Sequence, residues 1–233
     1  MAYVEFDRVT KKYVMGTQEI IANKEVSFQI HESEFCVIVG PSGAGKTTIL
    51  NLLGGMESCD SGKIIVDEKE ISQMSEKDLT NYRRYDVGFV FQFYNLMPNL
   101  TAYENLEIAV EISKNPLDPK EVLQSVGLMD RMNNFPAQLS GGEQQRISIA
   151  RAIAKNPKIL LCDEPTGALD YLTGKSILKL LHDTCRNASK TVIVITHNAA
   201  LTKMADHVIR VKNGEVIEEY YNEHPLPIEE IEW

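Results

Sequence analysis

The segment Gly40-Pro41-Ser42-Gly43-Ala44-Gly45-Lys46-Thr47 places three glycines and a lysine between a wholly apolar run, Phe35 to Val39, and residues of helical spacing, Thr47 to Leu53. An uninterrupted apolar run reads as a parallel strand buried on both faces. Glycines then let the backbone curl tightly before a helix begins. The stretch therefore predicts a strand–loop–helix unit of a parallel sheet. Its chemistry follows from the same geometry. Backbone N–H groups turned inward at a helix start make an anion nest, and the pattern matches G-x-x-x-x-G-K-[ST] in full. Lys46 would set a point charge on the β- and γ-phosphates of a nucleotide, with the Thr47 hydroxyl on Mg²⁺ and Thr48 beside it.

A second apolar strand, Ile159 to Cys162, ends in Asp163 and Glu164. At a strand tip beside a phosphate loop, Asp163 can hold the Mg²⁺ shell. Glu164 can orient and deprotonate a water. TVIVIT, Thr191 to Thr196, is a further buried strand, with a helix from about Gly174 to Arg186 before it. Residues 2–30 alternate apolar and polar positions (Val4, Phe6, Val9; Val26, Phe28, Ile30), the mark of half-buried antiparallel strands. From about Leu96 to Asn156 the pattern is mostly helical. Leu106, Ala109, Val110 and Ile112 form one stripe, Val122, Leu123 and Val126 another, and Ser140 to Lys155 a last helix. The expectation is an α/β domain over 1–220, with an N-terminal antiparallel β subdomain and a helical subdomain inserted at about 94–157.

Composition narrows the partners. The net charge of −9 lacks the basic face of a sequence-independent nucleic-acid binder. No run approaches the ~18 apolar residues that cross a bilayer, and the N-terminus lacks a secretory core. Cys36, Cys59, Cys162 and Cys185 show no C-x-x-C spacing and read as reduced thiols. Residues 221–233 are acidic, hold the single tryptophan, and on composition favour a detached, disordered end over a docked one.

Leu139-Ser140-Gly141-Gly142-Glu143-Gln144-Gln145-Arg146 places a capping serine and two glycines at another helix start, a second anion site. It resembles the LSGGQ signature of ABC ATPases, just ahead of the Asp163–Glu164 strand as in that family. The resemblance covers residues 2–217. It implies the P-loop NTPase fold with a RecA-like sheet core, and ATP and Mg²⁺ as ligands. Gln92 resembles the Q-loop glutamine that meets Mg²⁺ and water, Ala168-Leu169-Asp170 the D-loop, and His197 the switch histidine at the γ-phosphate. Tyr13 resembles the aromatic that stacks on adenine.

Phe91 to Glu107 and DEPTGALD, Asp163 to Asp170, are similar to the MacB/LolD group, which acts in macrolide export, lipoprotein release and antimicrobial-peptide resistance. Thr47 stands where serine is commoner and Ser33 where glycine is frequent; neither removes a catalytic group. The resemblance implies a head-to-tail homodimer in which Ser140, Gly141, Gly142 and Glu143 of one subunit close over the phosphate loop of the other. It also implies a separate transmembrane permease chain, met in the cytosol at the inner face of the membrane; part of the apolar stretch Phe93, Tyr94, Leu96, Met97, Leu100 is expected to line a groove for a short helix of that chain. An importer subunit would share every core motif, and a soluble ABC ATPase acting on DNA or ribosomes is the other alternative.

Overall fold

The structure is a computed structural model that describes residues 2–232. Met1 and Trp233, the latter assigned above to the tail, lie outside the described residues.

β1 (Ala2–Met15) and β2 (Gln18–His31) form a long antiparallel hairpin in which Phe6 faces Phe28, their rings stacked at 4.5 Å. The alternation read from sequence is the alternation observed: Val4, Phe6, Val9, Val26, Phe28 and Ile30 are all buried. β3 (Phe35–Val39) follows, then α1 (Lys46–Leu53), which stops at Gly54. β4 (Ser61–Val66) and β5 (Lys69–Glu70) complete a four-stranded sheet of order β2-β1-β4-β5.

α2 (Glu76–Tyr85) leads into β6 (Val87–Val90). The helical block contains α3 (Ala102–Glu111), α4 (Pro119–Ser125) and α5 (Gly141–Ala154). After it come β7 (Ile159–Asp163), α6 (Tyr171–Asn187), β8 (Thr191–Thr196), β9 (His207–Lys212) and β10 (Glu215–Tyr221). The second sheet runs β10-β9-β3-β8-β7-β6; only β10 is antiparallel to its neighbour. The C-terminal ends of β6, β7, β3 and β8 thus open on one edge, where ligands bind in open α/β sheets.

Three apolar clusters hold these layers together. One lies between the two sheets with α1. One packs the opposite face of the parallel sheet against α6. The third joins α3, α4 and α5. α5 serves two of them, with Ile149 and Ala152 toward the sheet and Ile147, Ala150 and Ala154 toward α3 and α4.

Three sequence expectations change. α6 starts three residues earlier than the periodicity indicates, because Asp170 caps it by accepting from the Thr173 N–H at 3.1 Å. Ile112 is not part of the α3 stripe: it follows the last helical residue and is half exposed. The C-terminal segment is not detached. Ile231 is fully buried in the cluster under α6, its carbonyl accepting from the Tyr171 hydroxyl at 3.1 Å. Lys175 donates to the Glu229 carbonyl, and the Asn222 amide to the Thr202 and Ala205 carbonyls. Acidic composition hid two apolar anchors, Ile228 and Ile231. All four cysteines are free thiols. Among the described residues no helix is long and apolar enough to cross a membrane.

Candidate nucleotide site

The loop after β3 is fixed from behind. Gly45 holds φ +93°, and a Cβ there would stand 2.3 Å from the Ala22 carbonyl oxygen, so only glycine fits. The Gly40 N–H donates to the Thr196 carbonyl at the end of β8. Lys46 is 7 % exposed, and its ammonium folds back to donate to the carbonyls of Gly40 (2.9 Å) and Pro41 (3.0 Å). Burial draws its pKa below the ordinary lysine value, while the carboxylates of Glu164 and Asp163 pull it back up. A buried cation held only by neutral carbonyls is poised for a polyanion.

Facing the loop, Asp163 accepts from the Thr47 hydroxyl at 3.4 Å. Burial raises its pKa, and the Glu164 charge adds to this. Glu164 stands at φ +45°, a left-handed backbone that a non-glycine residue seldom adopts. That turn brings its carboxylate under the end of β8. One oxygen, Oε2, accepts from the Thr196 hydroxyl at 2.9 Å; the other, Oε1, accepts from the His197 N–H at 2.8 Å and lies 2.8 Å from His197 Nδ1. The Glu164 side chain is mostly covered, while the histidine ring reaches into solvent.

These groups line one cleft of about 490 Å³. Ser42, Gly43, Gly45, Lys46, Thr47, Thr48, Gln92, Asp163, Glu164 and His197 are all on its wall. Gly40, Pro41 and Ala44 belong to the same loop but do not line the wall. Tyr13 is not on the wall: its hydroxyl donates to Glu57 at 2.6 Å, and the Lys11 ammonium lies 5.4 Å from its ring centre. Sequence reasoning missed Ile20, Ile21 and Ala22, which do line the cleft, with Ile20 paired to Tyr13 across the hairpin. Two adjacent isoleucines breaking the alternation of β2 were the available signal. The oxygen donors Thr47 and Asp163, with the Gln92 amide beside them, fit a hard divalent cation such as Mg²⁺, which takes one or two protein oxygens and substrate phosphates.

Ser140, Gly141, Gly142 and Glu143 are outside this cleft. Ser140 caps α5: its hydroxyl accepts from the Glu143 N–H (3.3 Å), and Glu143 Oε2 accepts from the Ser140 N–H (2.8 Å). Glu143 also pairs with Arg131 at 3.3 Å, so its carboxylate serves the cap. A Cβ on Gly142 would meet Thr173 Cγ2 at 2.4 Å, which sets α5 hard against the start of α6. Farther along α5, Arg151 donates to the carbonyls of Asn95 (2.6 Å) and Tyr94 (3.2 Å), two residues at positive φ just beyond Gln92. At its end Lys155 donates to the carbonyls of Arg83 and Val87.

The arrangement is that of a nucleotide cassette, and residues 23–167 match the family model for an ABC transporter. The chain belongs to the ABC transporter family. As a cassette it is 42 % identical over 222 residues to an ABC transporter ATP-binding protein of Methanocaldococcus jannaschii, MJ0796, covering 91 % of this chain and 94 % of that one. The solved dimer of the MJ0796 cassette bound to ADP and Pi superposes with a TM-score of 0.86 at 40 % identity, covering 94 % of this chain and 98 % of that one. The macrolide export ATP-binding/permease protein MacB of Pasteurella multocida is 40 % identical over 219 residues. The cassette spans 92 % of this chain in that match and 34 % of MacB, and it spans half of a Mycoplasma pneumoniae homologue that is 39 % identical.

Proposed function

We propose that this cassette is the ATP-hydrolysing motor of a MacB/LolD-type transporter, closing head to tail with a second copy around two ATP molecules. The observation that carries the reading is Glu164, a carboxylate fixed through both oxygens by Thr196 and His197 beside a buried lysine. A general base must be held in place at the reacting centre, and this one is. Lys46 leaves its two loop carbonyls for the β- and γ-phosphates, and the loop N–H groups and α1 dipole stabilise the remaining charge. Glu164 takes the proton of the attacking water, and His197 donates toward the γ-phosphate. Mg²⁺, held by Thr47, Asp163 and Gln92, would neutralise charge on the phosphates.

Ser140 to Gly142 supply a second set of helix-start N–H groups that this chain's own cleft does not use. Their reach to a partner's cleft accounts for both sites at once, with Glu143 bracing the cap. Ile20 and Ile21, on the cleft wall beside Tyr13, supply an apolar surface for the adenine. The MJ0796 dimer with ADP and Pi supports the assembly.

The permease contact is assigned to the stretch after Gln92. Phe93 is 76 % exposed and Met97 43 %, whereas Leu96 and Leu100 are half-buried anchors. Exposed Phe and Met beside a loop that senses the nucleotide suit a short helix of a membrane chain. In that setting the cassette lies on the cytoplasmic face and meets the membrane only through its partner, with no nucleic acid involved. The test is a pull-down of the tagged chain from detergent-solubilised membranes, together with Mg²⁺-dependent phosphate release. Recovery of a membrane chain with few spans and a large extracytoplasmic domain is expected. A many-span permease with a solute receptor would reassign the cassette to import, and ribosomes or DNA without a membrane chain would overturn the transporter reading.

A further inference from the structure

Asn23 on β2 is fully buried, yet its Oδ1 has no hydrogen-bond partner. An orphaned oxygen inside a packed junction is a cost to the fold. The other end of the same amide is used. Asn23 Nδ2 donates to the Gly45 carbonyl at 3.2 Å, and that carbonyl is also the first acceptor of α1, taking the Ile49 N–H at 3.0 Å. One residue earlier, the Ala44 carbonyl accepts from the Gly214 N–H at 3.0 Å, and the Gly214 carbonyl accepts in turn from the Lys24 N–H at 2.8 Å. Two consecutive carbonyls of the phosphate loop are therefore tied outward, to β2 and to the β9–β10 turn.

The peptide unit is planar and trans, so its C=O and N–H point in opposite directions. Tying the Gly45 carbonyl to Asn23 aims the Lys46 N–H away from β2. Tying the Ala44 carbonyl to Gly214 does the same for the Gly45 N–H. The geometry points to Asn23 as a positioning residue for ATP, acting through the Gly45 carbonyl to hold the loop N–H groups on the phosphates. It rests on the nucleotide reading of the cleft. Ala22, next to Asn23, is itself on the cleft wall, and the Gly45 position admits no Cβ because this strand presses so close.

The decisive variants are Asn23→Leu and Asn23→Ala. Leucine keeps the branched shape, removes the orphan oxygen and removes the amide bond, while the Gly45 carbonyl keeps Ile49 as a partner. Melting of the nucleotide-free chain and the Kd of a fluorescent ATP analogue with Mg²⁺ are measured on the full chain. Asn23→Leu is expected to melt at or above wild type while binding ATP about fivefold more weakly, the worth of one hydrogen bond's geometry. Asn23→Ala, which leaves the same loop untied, is expected to lose affinity as much. Affinity within about twofold of wild type in either variant, or lost only in step with melting, would overturn the proposal. Wild type failing to bind the analogue would overturn the nucleotide reading itself.

Discussion

A single oxygen of Glu164, Oε1, lies 2.8 Å from both the backbone nitrogen and the ring Nδ1 of His197. The histidine thus holds the carboxylate from two directions, and the carboxylate fixes which ring edge remains free. Glu164→Gln keeps the shape and the Thr196 contact but cannot take a proton. It should retain ATP binding and lower turnover by about 10²-fold to 10⁴-fold. Phosphate release and nucleotide affinity, measured on the same preparation, check this; equal loss of affinity would remove the base assignment.

Lys46→Ala removes the only ammonium on the cleft wall among the described residues and strips two loop carbonyls of their donor. Here affinity itself should fall, by on the order of tenfold or more, because a charge-assisted contact to phosphate is lost. Titration with labelled ATP separates this variant from Glu164→Gln.

Ile231→Ala tests the docked C-terminus. Ile231 is wholly buried under α6, so truncating it should cost about 2–4 kcal/mol in urea unfolding. Lys179→Ala, which breaks the exposed ion pair to Glu229, should change stability little. Equal, negligible effects would mean that the segment contributes no core.

Burial pushes the Lys155 ammonium down to about 8, with the Arg151 charge adding to it. Below that pH both folded and unfolded chains carry the proton. Between about 8 and the ordinary lysine value of 10.5, the unfolded chain holds more protons, so this residue makes stability rise with pH. The difference between wild type and Lys155→Met in urea midpoint should therefore grow in favour of wild type from about pH 7.5 to about pH 9.5. A flat difference would show that the amine titrates normally.

The parallel strands and the cleft were legible because their signals are local: apolar runs, glycines at fixed spacing, acids at a strand tip. Gln92, Asp163 and His197 lie at or just past strand ends, so knowing the strands places them together. What escaped depends on distant contacts. Ile20 and Ile21 look like strand residues until the hairpin is seen folding over the phosphate loop. β4 and β9 are short, and pairing with β1 and β3 defines them. Tyr13 reads as a stacking ring, and no local signal shows that Glu57, forty-four residues on, holds its hydroxyl. The C-terminal segment failed on composition because two isoleucines among acids decide its place.

α5 carries a cap at Ser140, a clamp at Arg151 on the Tyr94–Asn95 turn, and an anchor at Lys155 on the strand that feeds Gln92. Its 14 residues make a rod about 20 Å long. A rod does not absorb displacement the way a loop does. A displacement imposed on the Tyr94–Asn95 turn would therefore be passed along α5 toward Ser140 instead of being taken up between them. The helix is thus a lever that joins the turn beyond Gln92 to the Ser140 cap.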